Sequence, residues 1–179
     1  MSEPPSILYH ISDRPDIAVF EPRPSPNSGH EGDMVWAVDD DHLHNYLLPR
    51  GCPRVTFYAL PDSRPDDVER LFAGSPAQHI VVIESSWFAA ARIAQLTRYD
   101  LPAASFTLVD SGAGYYISRK PVVPLAVNIV DDPLGEMLRR DVELRVMSSL
   151  WRLHNAVAAS SLQFSIIRMR NAAPPTCNR

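Results

Sequence analysis

Lysine is almost missing from this chain. Lys120 is the only one, every other basic residue is arginine, and the formal net charge is −4. A duplex-binding protein gathers its Lys and Arg into a basic patch. Here they are spread thinly, so DNA is excluded as an expected partner. The shortage reads first as GC-rich coding bias, and it leaves forked guanidinium donors suited to phosphate or carboxylate. Cysteine is scarce too. Cys52 and Cys177 stand far apart, which gives neither a disulfide framework nor a metal-ligand pair. No apolar run is long enough to span a bilayer. The start lacks the basic-then-apolar order of an export signal. The expectation is a soluble protein of the reduced cytoplasm with no membrane partner. Seven glycines against seventeen prolines favour rigid extended connections over long helices.

What is present suits one globular domain. The chain has 179 residues, 45% hydrophobic and 21% charged, enough to bury a core of its own. Residues 1–171 are expected as a single domain, with 1–6 frayed and 172–179 a disordered tail. Ile7 to His10, Met34 to Val38, Arg54 to Ala59, His79 to Glu84, Phe106 to Val109, Tyr115 to Ser118 and Glu143 to Val146 read as strands, and Phe164 to Met169 as a last extended segment. Residues 13–33 read as a long extended loop, a kind that is often functional. Pro121 to Val130 continues extended. Short helices are expected after the aspartates 39–41, with Leu43, Tyr46 and Leu47 on one face and Pro49 as the stop. Further helices are expected at Asp66 to Phe72, Trp87 to about Thr97, Pro133 to Arg140 (Leu134, Met137 and Leu138 together) and Leu150 to Ala159. Strands outnumber helices without regular alternation, so the fold class is α+β with mostly antiparallel sheets.

Several residues have two readings. His10 and Ser12 end the first strand, where they either hold a carboxamide or ribose or simply bond the next loop. Tyr46 is either core or a ring stacked on a flat heterocycle. Arg50 and Arg54 flank Gly51-Cys52-Pro53, where they grip a pyrophosphate or form surface ion pairs. Arg119 has the same two readings. His42 and His44 do not make a metal pair, because two residues apart on a helix their side chains diverge by roughly 160 degrees. No metal is expected. Asp110-Ser111-Gly112-Ala113-Gly114 fails as a nucleophile elbow and as a phosphate loop, and reads as a tight turn. Glu84, before a helix, is either catalytic or a partner for backbone donors, and the structural role is favoured. His154 reads as a satisfied core histidine.

The segments Leu8-Tyr9-His10-Ile11-Ser12, Val35-Trp36-Ala37-Val38, Asn45-Tyr46-Leu47-Leu48-Pro49-Arg50, Cys52 to Tyr58 and Gly114-Tyr115-Tyr116-Ile117-Ser118 resemble those of a family of uncharacterised bacterial proteins. Beneath that, Tyr9-His10-Ile11-Ser12, Trp36 to Tyr46, and Gly114 to Ser118 followed by Pro121 and Pro124 resemble the three motifs of the His-Tyr-Glu, diphtheria-toxin-like ADP-ribosyltransferases and of RNA 2′-phosphotransferases. The resemblance implies an ADP-ribosyltransferase-like fold, two small, mostly antiparallel sheets around a cleft with short peripheral helices. It implies NAD as cofactor or substrate, a small-molecule nucleotide as partner, and an RNA end as an alternative one. The implied site has His10 and Ser12 on the sugar, Tyr46 on the base, Arg50 or Arg54 on phosphate, and Tyr115 or Tyr116 lining it. Tyr115 stands about where the transferase glutamate would be. A phenol donates a hydrogen bond there but supplies no equivalent negative charge. The implied activity is therefore an atypical NAD glycohydrolase or an ADP-ribosyl or phosphoryl transferase, with Glu84 or another acid as substitute, or a pocket whose catalysis is lost. The alternative is a non-catalytic protein-interaction domain with a vestigial pocket. The sequence fixes no oligomeric state.

Overall fold

A computed structural model describes residues 5–25 and 29–175 of the chain. Residues 1–4 of the expected frayed start, Pro26, Asn27 and Ser28 of the expected loop, and residues 176–179 of the expected tail lie outside the described residues. Among the described residues the fold is α+β, with two mostly antiparallel sheets and four α-helices. The chain divides into two compact units, Met1–Leu43 with Gln95–Asp131, and His44–Ala94 with Asp132–Arg179.

Among its described residues the first unit holds seven strands: β1 (Ile7–Ser12), β2 (Arg23–Pro24), β3 (Asp33–Val38), β6 (Leu96–Pro102), β7 (Phe106–Asp110), β8 (Tyr115–Ser118) and β9 (Ala126–Val130). They run in the order β7-β8-β3-β1-β6-β9, with β2 paired to β3. Every pairing is antiparallel. Residues facing one another across antiparallel strands share a face, and each strand alternates between faces. Tyr9 faces Val38, and Val38 faces Tyr115. Those three, with Trp36 and Ile117, lie on one face. Leu8, His10, Val35, Ala37, Tyr99, Leu101 and Tyr116 lie on the other. That second face carries the core, in which Leu8, Val35, Ala37, Tyr99 and Leu101 pack with Phe20 and Val122. Residues 14–20 of the loop after β1 are therefore tied to the sheet. Phe20 forms a β-bridge with Val122. The Tyr99 hydroxyl donates to the Arg14 carbonyl at 2.6 Å and accepts from Ile17 N at 3.1 Å.

The second unit holds β4 (Arg54–Tyr58), β5 (His79–Glu84), β10 (Val142–Met147) and β11 (Gln163–Ile167) in the order β10-β5-β4-β11. Only β10 and β5 are parallel. Residues 95–131, which belong to the first unit, separate these two in sequence. That spacing meets the need of parallel neighbours for a long connection. Helices α1 (Pro65–Phe72), α2 (Ser85–Arg92), α3 (Pro133–Arg139) and α4 (Trp151–Ala158) complete the unit. Its core joins Val55 and Phe57 of β4, Ile80 and Val82 of β5, Leu71 and Phe72 of α1, and Leu150, Val157 and Leu162. The continuous apolar run of β5 has its physical reason here, since residues 80–84 are all buried. Asp132 caps α3 by accepting from Gly135 N at 2.9 Å.

Three helix expectations need correction. Residues 39–48 form only a 3-10 turn at Leu43–Tyr46. The segment from His42 to Leu48 is buried except at Tyr46, which is half-buried, so it has no polar stripe to turn outward as an amphipathic helix requires. The helix from Trp87 stops at Arg92, short of Thr97. From Thr97 the chain pairs with β1 through six facing residues, and that ladder overrides local helix preference. In α3, Met137 is buried but Leu138 is 62% exposed, so the expected three-residue apolar face is only partly used. His154 is likewise half-buried and not core, its Nδ1 lying 2.9 Å from Asn155 Oδ1. The end of the chain is tied as far as Ala173, whose carbonyl accepts from Trp151 Nε1 at 2.6 Å. No helix among the described residues is long and apolar enough to cross a membrane.

Candidate functional site

The sequence-derived site residues fall in both units. His10, Ser12, Tyr115 and Tyr116 belong to the first; Tyr46, Arg50, Arg54 and Glu84 belong to the second. Each group is described within its own unit.

In the first unit, His10 Nδ1 lies 2.9 Å from the Trp36 carbonyl. A carbonyl only accepts, so the ring proton sits on Nδ1, and in the neutral ring Nε2 is the acceptor. The imidazole packs at 4.8 Å against Phe20, which meets Tyr99 edge-on at 5.1 Å. Ser12 Oγ accepts from Arg14 N at 3.1 Å, which fixes the turn leaving β1. Antiparallel register carries His10 to Ala37, and Ala37 faces Tyr116. His10, Ser12 and Tyr116 therefore share a face. Tyr115 does not, and its ring meets Trp36 edge-on at 5.9 Å on the opposite face. His30 lies on Trp36 at 5.9 Å there, and the indole N–H of Trp36 is buried without a hydrogen-bond acceptor. Burial, and after it the charge of Asp39, pushes the Tyr116 phenol above its ordinary value.

A pair that sequence reasoning missed stands at the end of β3. Asp39 Oδ1 accepts from His42 N at 3.0 Å and lies 2.7 Å from His42 Nδ1. Asp39 N donates to the Gly114 carbonyl at 3.2 Å. Gly114 has φ +64, and a Cβ built on it would fall 2.5 and 2.7 Å from the Asp39 oxygens and closer still to His42 Nδ1. The glycine is required twice, by its left-handed backbone and by the space the pair occupies. Its signal in the sequence is Asp39-x-x-His42, a carboxylate three residues before an imidazole. His44 belongs to the other unit, where its ring lies 4.5 Å from that of His79. No group of three or more His, Cys, Asp or Glu residues fit to hold a metal occurs among the described residues.

In the second unit, Arg54 is only 2% exposed. Both sequence readings, phosphate grip and surface ion pair, put it at the surface. Instead its Nε donates to Asn45 O at 2.7 Å and its NH1 to Cys52 O at 2.9 Å, while the guanidinium lies over the Tyr46 ring at 5.6 Å. The fork holds the 45–52 segment against β4. Arg50 is exposed, and its carbonyl accepts from Arg168 Nε at 3.3 Å. Glu84 is buried, and its carboxylate accepts from Leu150 N at 3.4 Å and from Ala173 N at 3.0 Å. It serves backbone donors, though at α4 and the chain end and not at its own helix. Burial pushes the Cys52 thiol up to about 11.

Residues 9–172, from β1 to the last described turn, match a family of unknown function, DUF6886. The chain belongs to the DUF6886 family. The match spans His10, Asp39, His42, Gly114 and Tyr116, and the family's description assigns none of them a role. No curated protein and no solved structure matches the chain. The likeness to ADP-ribosyltransferases therefore rests on the three residue motifs alone.

Proposed function

We propose that this DUF6886 protein is a cytoplasmic binder of NAD or a related nucleotide, ADP-ribosyltransferase-like in fold and atypical in chemistry or without catalysis. The observation that carries the reading is the fixed ring of His10. Its Nδ1–H is given to the Trp36 carbonyl, and its ring shares a sheet face with Tyr116. An imidazole held in one orientation, on the same sheet face as a phenol, suits the hydroxyls of a ribose or the amide of nicotinamide. The site is built from the first unit alone, with His10, Ser12 and Tyr116 as ligand-facing groups. A thermal-shift series with NAD, ADP-ribose and an RNA 2′-phosphate tests it. A ligand bound only by the native state at a hundred times its Kd stabilises by about 2.7 kcal/mol. The rise in Tm is expected in the wild type and lost in His10→Ala. Nicotinamide release followed over hours separates enzyme from binder.

A second reading is a protein-interaction domain. The sheet of the first unit ends in β9, whose Val127 and Ile129 are 49% and 53% exposed. Residues 126–130 carry no charge, whereas natural sheet edges are usually blunted by charge or proline. Absence of stabilisation by every nucleotide tested would select this reading over the first.

A further inference from the structure

We propose that β9 is a docking edge for a second copy of this chain, with two β9 strands pairing antiparallel about Asn128. The inference deepens the interaction reading by naming the partner, and it rests on that reading only for the strand that docks. Among the described residues β9 has one sheet neighbour, β6, and residues 126–130 make no further backbone bond. Its outer rim of N–H and C=O groups is a template for another strand. The opposite end of the same sheet is guarded. There β7 carries Asp110 and a register shift between Leu108 and Asp110, and both features discourage strand addition. Ala126-Val127-Asn128-Ile129-Val130 has no charge, no proline and no register shift. Register sets Val127 beside Tyr99 and Ile129 beside Thr97. Tyr99 and Thr97 are buried, whereas Val127 and Ile129 are about half exposed. The face that carries the core thus runs on to the sheet margin, and nothing among the described residues covers it there. Val123 and Leu125, just before the strand, are exposed as well.

Charge decides the occupant. Residues 121–130 hold no carboxylate for a basic segment to meet and no cation for an acidic one. What fits is a strand that is itself uncharged and apolar, and β9 is such a strand. A two-fold dimer needs a surface complementary to itself. Antiparallel pairing about Asn128 overlaps the whole strand. It sets Ala126 against Val130 of the second copy, and Val127 against the second copy's Ile129. Facing residues share a face, so apolar side chains meet there and no like charges are opposed. The two sheets become one continuous sheet with β9 beside β9 at the seam. A seam this short is small beside the roughly 1,200–2,000 Å² of a stable interface, so the dimer is weak and reversible. The first unit holds twelve Asp and Glu against five Lys and Arg. Copies therefore repel at a distance, and salt strengthens the pairing by screening that repulsion.

The test is sedimentation of the full chain from micromolar to near-millimolar protein, with the nucleotide thermal shifts run on the same samples. A monomer–dimer equilibrium is expected, and it should tighten as salt rises. Val127→Lys combined with Ile129→Lys brings like charges face to face across the seam and should weaken the dimer by about tenfold or more. Val127→Glu combined with Ile129→Glu should do the same. Both positions are half exposed, so neither pair of changes buries a charge in the monomer. Mixing the two variants sets opposite charges face to face and is expected to restore a dimer. Leu108→Lys, on β7, should leave the equilibrium unchanged. A monomer at every concentration overturns the proposal. A dimer that the lysine pair leaves intact overturns it too, as does a mixture of the two variants that stays monomeric. The thermal shifts judge the interaction reading separately. Stabilisation by NAD removes that reading, whereas the pairing stands or falls on sedimentation.

Discussion

Replacing Gly114 by alanine separates two effects that are usually confounded at a positive-φ glycine. An L residue held in the left-handed region costs roughly 1–2 kcal/mol. Gly74, with φ +81 and nothing within 4 Å of a built Cβ, reports that backbone effect by itself. Gly114, with φ +64, carries the same effect plus a collision with Asp39 and His42. Relieving the collision pulls apart a charge-assisted hydrogen bond, worth about 1.5–3 kcal/mol. Gly74→Ala is therefore expected to lose about 1–2 kcal/mol, and Gly114→Ala about 2.5–5 kcal/mol. Because the two glycines lie in different units, the assay is urea-dependent hydrogen exchange read peptide by peptide, following β3 and β8 for one variant and α1 and β5 for the other. Equal losses in the two variants would refute the reasoning. They would mean that the pair shifts aside freely and is not held by the turn.

The buried guanidinium of Arg54 gives a second expectation. Arg54→Met strands the Asn45 and Cys52 carbonyls and should destabilise the second unit by about 3 kcal/mol, measured by denaturant unfolding. A loss under 1 kcal/mol would show that water replaces the fork. Cys52, fully buried and pushed up to about 11, should resist iodoacetamide at pH 8 in the native protein and react once unfolded. Rapid native alkylation at that position would contradict its burial. Asp67 accepts from Ser161 N at 2.9 Å and Ser161 Oγ at 2.9 Å, and it pairs with Arg64 and Arg70. The backbone bond from Ser161 heads the effects that hold it at about 2. A lowered carboxyl favours the folded state above its unfolded value near 4, and that contribution fades as pH falls toward about 2. Asp67→Asn should flatten the acid limb of the stability profile between those values, and an unchanged limb would assign acid sensitivity elsewhere.

Much of the fold was legible where pattern and environment agree. In β4 the alternate residues Val55 and Phe57 enter the core, while Arg54 and Thr56 are buried on the other face. β5 is a continuous apolar run because residues 80–84 are all buried. The turn at Asp110 to Gly114 was legible because Asp110 Oδ1 accepts from Gly112 N and Ala113 N at 2.9 and 3.0 Å, a local bond that needs no tertiary context. β6 was not legible as a strand throughout. Its Leu96 and Thr97 extend what looks like a helical run from Trp87, whereas the helix ends at Arg92 and these residues pair with β9 and β1.

The site shows the same division in finer grain. Residue types and order along the chain bring a strand-end histidine, an aspartate three residues before another histidine, and a pair of tyrosines within the span of one family. Chain order does not say on which side of a sheet each tyrosine falls. That depends on the register of β1, β3 and β8, where a slip of one residue exchanges Tyr115 for Tyr116 on the face that carries His10. It also does not say that Arg54 turns inward to hold carbonyls, or that Gly114 leaves space for Asp39 and His42. Those outcomes depend on close approach between residues distant in sequence, and such approach is a property of packing alone.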